Sequence, residues 1–310
     1  MKILITGVHG FVGTNLVAAL SKEHEIYGLD IIAPEKEGVV KTYSWEDLDA
    51  GRVTDVDAIV HLAGKAHDTK NQAAAEVYFK VNRDLTIKMY DYFLAHDNIN
   101  KFVFFSTAKA AADKVDGVLT EDVVPAPIGP YGESKIAAER YIQEHLPDGK
   151  DVYIFRPCMI HGPGNKGNLN LLYNIVRKGI PWPLGAFENR RTFTSIENIC
   201  FAVNGVLTMD VPSGIYNMGD DEALSTNELI EEICKSLGKK AHIWKLPKGL
   251  MNGVAKVGGF LHLPLDSERL RKLTENYISS NAKIKKALGV ERMPVDAREG
   301  LKITLESFAK

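Results

Sequence analysis

A tyrosine and a lysine four residues apart, Tyr131 and Lys135, are the pair in this sequence best suited to proton transfer. Residues 131–146 have helical periodicity, so the two side chains share one helix face. A tyrosine of pKa about 10 is a weak base at neutral pH, but a cation about 4 Å away contributes roughly 4 kcal/mol at an effective dielectric near 20. The spacing therefore predicts that Lys135 lowers the pKa of Tyr131 enough for a phenolate to act as a base. The alternative is a solvated pair on a helix surface.

A hydroxyl pair lies upstream, where Ser106 and Thr107 end an apolar run that starts at Phe102. If that run is a strand of a parallel sheet, its carboxyl end lies at the edge where such sheets bind ligands. A hydroxyl at this edge is suited to hold the reacting oxygen of a substrate beside Tyr131.

Glycines 7, 10 and 13 form a loop between a predicted strand and a predicted helix. Such a loop lets the backbone approach a pyrophosphate, whose charge is met by the N–H groups of the helix N-terminus. Asp30 ends the next predicted strand 17 residues after Gly13, close to the position of an acid that binds an adenosine ribose. Residues 31–34 offer no cation for a 2′-phosphate, which favours NAD over NADP. The alternatives are a plain strand-to-helix turn and a strand-end cap at Asp30.

Apolar runs alternate with helical segments through the first half of the chain. We expect strands at 3–6, 25–30, 58–63, 102–106 and 152–156, and helices at 13–22, 76–95 and 131–146. Continuous apolar strands separated by helices are typical of a parallel sheet covered on both faces. The predicted fold is α/β, a Rossmann-type doubly wound parallel sheet with a smaller, mixed α/β C-terminal domain.

Loops rich in glycine, proline and asparagine follow residue 157, with helices expected at 168–178, 197–208 and 225–237 and two short ones within 281–310. We expect a cofactor domain over 1–165 and a substrate domain over 166–310, with part of 190–216 returning to the first.

The overall composition excludes several classes of function. A net charge of −2 on 310 residues gives no electrostatic reason to expect a nucleic-acid or membrane partner. Three separated cysteines suit buried, reduced thiols, and no apolar stretch approaches the roughly 20 residues of a membrane span, so we expect a cytoplasmic protein. Spacings typical of metal ligands, a P-loop or a hydrolase nucleophile are absent from the sequence.

Together these motifs resemble the extended short-chain dehydrogenases/reductases, within the nucleotide-sugar epimerase/dehydratase group. The resemblance rests on the glycine loop, Asp30, the run from His61 to Gly64, Asn82, the Ser106–Thr107 pair, Tyr131 with Lys135, Arg156–Pro157 and the Gly162–Gly164 loop. His61 itself is expected to be packed rather than catalytic.

The resemblance implies roles for individual residues. Thr107, Tyr131 and Lys135 would be catalytic. The NAD-binding residues would be Gly7, Gly10, Phe11, Val12, Gly13, Asp30, Ile31, Leu62, Ala63, Gly64, Lys65, Asn82, Tyr131, Lys135 and Pro157. Substrate contacts would come from Thr107, Lys109, Asn168, Leu169, Arg191 and Arg269, with residues 180–185 over the nucleobase. Arg269 and Arg271 together would supply a second clamp on the diphosphate, and the alternative for both is a solvated helix face. An arginine suits the diphosphate because its guanidinium matches phosphate oxygens two at a time.

The favoured function is an NAD-dependent 4-epimerase of a UDP-hexose or UDP-N-acetylhexosamine, acting through a 4-keto intermediate. Lys109 after the hydroxyl pair also resembles reductases of 4-keto-6-deoxy-hexosamine nucleotides, so an NAD(P)H-dependent reductase is the first alternative. A 4,6-dehydratase is disfavoured because Ala108 and Lys109 stand where such enzymes carry Asp-Glu. A non-catalytic dinucleotide-binding regulator is a further alternative. The resemblance also implies a homodimer formed through the helices near 80–95 and 131–146.

Overall fold

The structure, a computed structural model, describes residues 1–65, 74–165, 167–260 and 266–309, without the side chains of 258–260. The expected domain boundary at 165/166 adjoins residue 166, which lies outside the described residues. No helix in the described ranges is long and apolar enough to cross a membrane.

The strands are short and mostly buried. In chain order they are β1 (Lys2–Thr6), β2 (Glu25–Leu29), β3 (Val39–Tyr43), β4 (Ala58–His61), β5 (Lys101–Phe105), β6 (Val118–Leu119), β7 (Asp151–Pro157), β8 (Met159–His161), β9 (Phe193–Ser195), β10 (Gly214–Met218) and β11 (Ile278–Ser279).

Seven of the described strands form one sheet in the order β3-β2-β1-β4-β5-β7-β10, and every neighbouring pair is parallel. The chain runs outward from β1 to β3, then returns to β4 and runs outward in the other direction. Ligands of open parallel sheets bind where the strand order reverses, at the carboxyl ends of the central strands. In this sheet that point lies beyond β1 and β4.

Helices connect the strands and form the C-terminal part of the chain. They are α1 (Phe11–Leu20), α2 (Trp45–Asp49), α3 (Ala75–Tyr78), α4 (Leu85–Ala95), α5 (Ala108–Ala111), α6 (Pro130–Glu144), α7 (Asn168–Arg177), α8 (Ile196–Thr208), α9 (Thr226–Ser236), α10 (Lys248–Phe260), α11 (Ser267–Thr274), α12 (Ala282–Leu288) and α13 (Ala297–Phe308). A π-helical segment, Phe79–Asp84, joins α3 to α4.

The sheet is covered on both faces, as the apolar runs predict. On one face, apolar side chains of α1, α8 and α12 pack against the strands. On the other face, α4 and α6 do so. A separate core holds buried residues of α7, α9, α10, α11 and α13. The predicted doubly wound sheet with a smaller C-terminal unit is thus confirmed, and α8, β10 and α12 are the parts of the later chain that return to the sheet.

Two elements between residues 31 and 57 were not anticipated from the sequence. The edge strand β3 is largely exposed, so its residues Val39, Val40 and Lys41 lack the continuous apolar pattern of the inner strands. The short α2 begins at a capping box in which the Ser44 and Asp47 side chains each bond the other's backbone N–H.

The three cysteines are unpaired, as expected, but only Cys234 is fully buried, whereas Cys158 and Cys200 are partly exposed.

Candidate active site

The glycine loop closes tightly between β1 and α1. Gly7 adopts a left-handed conformation with φ +68°, and a Cβ on it would lie 3.1 Å from the backbone nitrogen of Ala63. A Cβ on Gly13 would lie 2.5 Å from the carbonyl oxygen of Gly7, too close for any side chain. The close approach of helix to strand therefore requires glycine at both positions.

The N-terminus of α1 is open to an anion. No side chain caps Gly10, the first turn holds no acidic residue, and the first helical hydrogen bond is the one from the Thr14 N–H to the Gly10 carbonyl. The N–H groups of Phe11, Val12 and Gly13 therefore have no acceptor within the described residues. This donor set fits the pyrophosphate of a dinucleotide.

Asp30 stands directly after β2, beside the same loop. Its carboxylate accepts hydrogen bonds from the backbone N–H groups of His9, at 3.0 Å, and Ile31, at 2.7 Å. A carboxylate has about four lone-pair sites, so it retains acceptor capacity for ribose hydroxyls. Ile31 is exposed and can contact an adenine only through its aliphatic surface.

Hydrogen bonds to the Thr6 side chain, at the end of β1, fix the carboxyl end of β4. The Thr6 hydroxyl oxygen lies 2.8 Å from Nδ1 of His61 and accepts the N–H groups of Leu62 and Ala63. The other ring nitrogen of His61 lies 3.1 Å from the Thr86 hydroxyl. Burial lowers the pKa of His61 to about 3, helped by the charge of Lys135, so this histidine is a neutral packed residue as predicted.

Asn82, which lies in the π-helical segment, ties this strand end to α6. Its Oδ1 accepts the N–H of Lys65 at 2.7 Å, and its Nδ2 donates to the Lys65 carbonyl at 3.2 Å and to Ser134 Oγ at 3.1 Å. Ser134 Oγ in turn donates to the Tyr131 carbonyl at 2.9 Å. A π-bulge is a frequent device at functional sites because it turns a side chain out of the regular helical register.

Tyr131 and Lys135 lie on α6, which begins at Pro130 after a Gly129 with φ +84°. Burial raises the pKa of Tyr131 above its usual value, and the nearby Tyr78 acts in the same direction. A side-chain hydrogen bond with Thr107 lowers this pKa, but by less than burial raises it. The expectation that Lys135 lowers this pKa was wrong. The Lys135 ammonium instead donates to the Phe105 carbonyl at 2.8 Å.

Burial has the opposite effect on the lysine. It lowers the pKa of Lys135 to about 8, although Glu139 one helical turn further on acts to raise it. Gly64 leaves room for the ammonium, because a Cβ there would lie 3.2 Å from Nζ and 3.0 Å from Asn82 Oδ1. Lys135 therefore faces the strand end that the sequence assigns to the cofactor.

A buried ionic network lies beneath these residues. Ser106 donates its hydroxyl proton to Glu139, and the Arg156 guanidinium binds both oxygens of the same carboxylate, with Nη2 at 2.5 Å and Nε at 3.0 and 3.1 Å. All three side chains are almost fully buried. Pairing a buried carboxylate this fully compensates much of its desolvation and fixes β5, α6 and β7 relative to one another.

Positive charges collect around Asp113, among the residues that the sequence predicts to contact the substrate. Lys109 Nζ lies 3.1 Å from one carboxylate oxygen of Asp113, and Arg271 of α11 lies 3.6 Å from the other. Burial acts to raise the pKa of Asp113, but these two cations hold it below its usual value. Arg191 is partly buried close by and donates to the Lys272 carbonyl.

Other predicted substrate residues have different positions. Arg269 is exposed beside Asp266, at 3.6 Å, so Arg271 rather than Arg269 joins the charged group. The side chain of Leu169 is buried in the second core, and only its backbone at the start of α7 can reach a ligand, whereas Asn168 is exposed. Residues 180–185 pair with the chain near 242–245, and Pro157 is buried at the end of β7.

Several residues of the site were missed from the sequence. Ser134, Glu139 and Asp113 act through partners distant in the chain. Tyr78 packs edge-on against Tyr131, with ring centroids 6.3 Å apart. Tyr78 lies four residues before Asn82, so helical spacing places both on one helix face, and this is the sequence signal that could have identified it.

Comparison with known proteins identifies the family. The profile of the NAD dependent epimerase/dehydratase family matches residues 3–219. The chain belongs to this family. Its cofactor, NAD, fits the open N–H groups of α1 and the free acceptor capacity of Asp30.

Individual relatives support the same family. The chain is 29% identical to a UDP-glucose 4-epimerase of Vibrio cholerae over 99% of this chain and 95% of that protein. It is 27% identical to the N-acetyl-α-D-glucosaminyl-diphospho-ditrans,octacis-undecaprenol 4-epimerase of Escherichia coli O157:H7, over 92% and 85%. A UDP-glucuronic acid 4-epimerase of Bacillus cereus, solved in complex with NAD, shares the fold with a TM-score of 0.76 and 21% identity over 100% and 99%. This is an enzyme family, and the chain spans nearly the full length of these relatives.

Proposed function

We propose that the protein is an NAD-dependent 4-epimerase of a UDP-hexose or a UDP-N-acetylhexosamine. The observation that carries the proposal is the hydrogen-bonded pair of Thr107 and Tyr131 at the carboxyl edge of the sheet, next to Lys135 and the glycine loop. Full-length similarity to a UDP-glucose 4-epimerase supports the class of reaction and the nucleotide.

The proton chemistry falls to Tyr131. When bound, NAD would supply a hydride acceptor for carbon 4 of the sugar and would return that hydride to the opposite face. As the hydride leaves, the phenolate oxygen of Tyr131 accepts the proton of the 4-hydroxyl, and it gives that proton back when the turned keto sugar is reduced. Thr107 donates a hydrogen bond to the reacting oxygen and holds it beside Tyr131. No net oxidant or reductant is consumed.

The raised pKa of Tyr131 sets the electrostatic requirement of this mechanism. A phenolate in a buried site forms near neutral pH only if positive charge is close to it. That charge would come from the oxidised nicotinamide of bound NAD, because Lys135 does not lower the pKa of Tyr131 in this structure. Lys135, with a pKa of about 8, is mostly protonated at neutral pH and lies on the cofactor side of α6. It would at the same time donate hydrogen bonds to the nicotinamide ribose.

The cations around Asp113 would hold the nucleotide end while the keto sugar turns. Lys109 and Arg271 share one carboxylate, and Arg191 lies alongside. The three positive charges of Lys109, Arg191 and Arg271 exceed the charges of the two carboxylates beside them, Asp113 and Glu275, so the group suits the negative charge of a diphosphate. Retention through this end leaves the sugar ring free to rotate.

The decisive experiment offers purified protein UDP-glucose, UDP-galactose and their N-acetylhexosamine counterparts, with and without NADH, and follows the sugars by NMR. We expect one pair to interconvert without added reductant, and Tyr131→Phe to abolish turnover while NAD still binds. Consumption of NADH with a 4-keto-6-deoxy sugar, and no epimerisation, would instead establish the reductase, the second candidate that Lys109 favours. Cofactor binding without any turnover would indicate a regulator.

A further inference from the structure

The charges of this chain are distributed unevenly. Residues 233–265 contain six lysines and neither aspartate nor glutamate, although the whole chain carries a net charge of −2. We call residues 239–257 the lysine-rich segment. It holds five of these lysines, at positions 239, 240, 245, 248 and 256, and it includes most of α10.

The same segment exposes large apolar side chains. Trp244, Leu250, Val254 and Val257 are 53%, 55%, 46% and 57% exposed. Along α10 the last three lie at positions i, i+4 and i+7, so they form one outward stripe, whereas Met251 and Ala255 are buried in the second core. The helix is held to the protein by one apolar face and presents another to its surroundings.

The segment is attached firmly to the body of the protein. Trp182 donates its N–H to the His242 carbonyl at 2.8 Å, and Trp244 donates its N–H to the Trp182 carbonyl at 2.8 Å. These two bonds fix the backbone on either side of Ile243, which is partly buried, and hold the Trp244 side chain outward. The apolar exposure is therefore a feature of an ordered surface.

The lysines have few partners of opposite charge. Within the described ranges, Lys240, Lys245 and Lys256 have no carboxylate within ion-pair distance. Lys239 donates to the Arg177 carbonyl, and Lys248 lies 5.7 Å from the centre of the Phe187 ring. The positive charge of the segment is therefore available to an anionic partner outside the chain.

We propose that the lysine-rich segment docks on the surface of an anionic lipid bilayer. An exposed aliphatic stripe with a tryptophan and flanking lysines matches the requirements of an interfacial helix, in which apolar side chains enter the headgroup layer and lysines meet lipid phosphates. A second copy of this chain is a poorer partner because the same lysines would face each other. Nucleic acid would use the charge but not the aliphatic stripe.

This inference does not rest on the proposed reaction, and its test needs no sugar. Full-length protein is floated with vesicles of phosphatidylglycerol and phosphatidylcholine in equal parts, and with phosphatidylcholine alone. We expect binding to the anionic vesicles only, weakened by added salt. A lysine near an anionic surface contributes about 1 kcal/mol, or about fivefold. The triple variant Lys240→Gln, Lys245→Gln, Lys256→Gln should therefore bind about a hundredfold more weakly.

Matched variants separate this docking from a general charge effect. Lys22→Gln, Lys114→Gln and Lys302→Gln remove the same charge from exposed positions elsewhere and should leave vesicle binding unchanged. Leu250→Ser with Val254→Ser should weaken binding, whereas Val40→Ser with Val124→Ser, also exposed, should not. Equal binding to both vesicle types, no binding to either, or equal losses in the two triple variants would overturn the proposal. So would loss of a dimer, seen by sedimentation, in Leu250→Ser with Val254→Ser.

Discussion

Lys135 occupies its position at a cost in folding free energy. Its pKa is about 8 in the folded protein against an ordinary 10.5, so burial disfavours the ammonium form. The penalty is about 3 kcal/mol, is fully present below pH 8 and disappears as the pH rises toward 10.5. A residue kept at such a cost is expected to serve the reaction rather than the fold.

Replacement of Lys135 by methionine should therefore stabilise the protein while abolishing turnover. We expect the free energy of unfolding at pH 7 to rise by up to about 3 kcal/mol, reduced by the free energy of the hydrogen bond that Lys135 makes to the Phe105 carbonyl. This gain should shrink as the pH rises from 8 to 10.5. Urea unfolding at several pH values measures this, with Lys22→Met as the exposed control. A Lys135→Met variant less stable than the parent at pH 7 would contradict the assignment.

His61 should make the fold sensitive to acid. Its pKa falls from 6.5 to about 3 on burial, so the unfolded chain binds a proton that the folded chain excludes. This contribution to stability is complete above pH 6.5 and is lost as the pH falls toward 3, by about 5 kcal/mol in all. In His61→Gln the acid-induced loss should be smaller by that amount, whereas in the exposed His145→Gln it should match the parent. Parallel pH profiles for all three proteins would refute this.

For single residues, the sequence predicted which side chains share a helix face better than it predicted the contacts that each side chain makes. The i, i+4 spacing of Tyr131 and Lys135 placed them on one helix face, as the structure has them. The direction of the Lys135 ammonium was not readable, because the acceptor that holds it is a backbone carbonyl 30 residues earlier in the chain. Arg271, in place of Arg269, likewise depends on which side of α11 packs toward Asp113.

The π-helical segment Phe79–Asp84 is the element that joins the cofactor edge to α6. Asn82 makes hydrogen bonds to Lys65 and Ser134 at once, so its effect should depend on both. We expect Asn82→Ala to cost about 1–3 kcal/mol of stability and to weaken NAD binding, and Ser134→Ala to do so less. In the double variant the losses should be less than additive, because the two residues share one bond. Calorimetric titration with NAD measures the loss of affinity, and urea unfolding measures the loss of stability. Strictly additive losses in the double variant would argue against coupling between Asn82 and Ser134.

Elements with strong apolar periodicity were predictable, and those without it were not. The buried strands β1, β4, β5 and β7 lie within a residue or two of their expected positions. The edge strand β3 was missed because half of it faces solvent. The π segment could not be told from a continuous helix, since the sequence carries no signal for a single shifted hydrogen-bond register.

For the whole molecule, the net charge does not describe how the charges are distributed along the chain. A value of −2 gives no reason to expect an anionic membrane surface as a partner, yet residues 233–265 contain six lysines and neither aspartate nor glutamate. The same averaging conceals the cations around Asp113, which suit a diphosphate. Both features depend on the positions of the charged side chains in the folded protein, and the net charge of the sequence carries no information about those positions.

We propose that the chain epimerises a nucleotide sugar by transient oxidation at carbon 4. The most direct measurement supplies the sugar nucleotide deuterated at carbon 4, in ordinary water and without added reductant, and locates the label in the product by NMR. We expect an epimer that retains deuterium at carbon 4, because the same hydride equivalent leaves and returns. Loss of the label to solvent, or no epimer from any UDP-hexose or UDP-N-acetylhexosamine, would contradict the account.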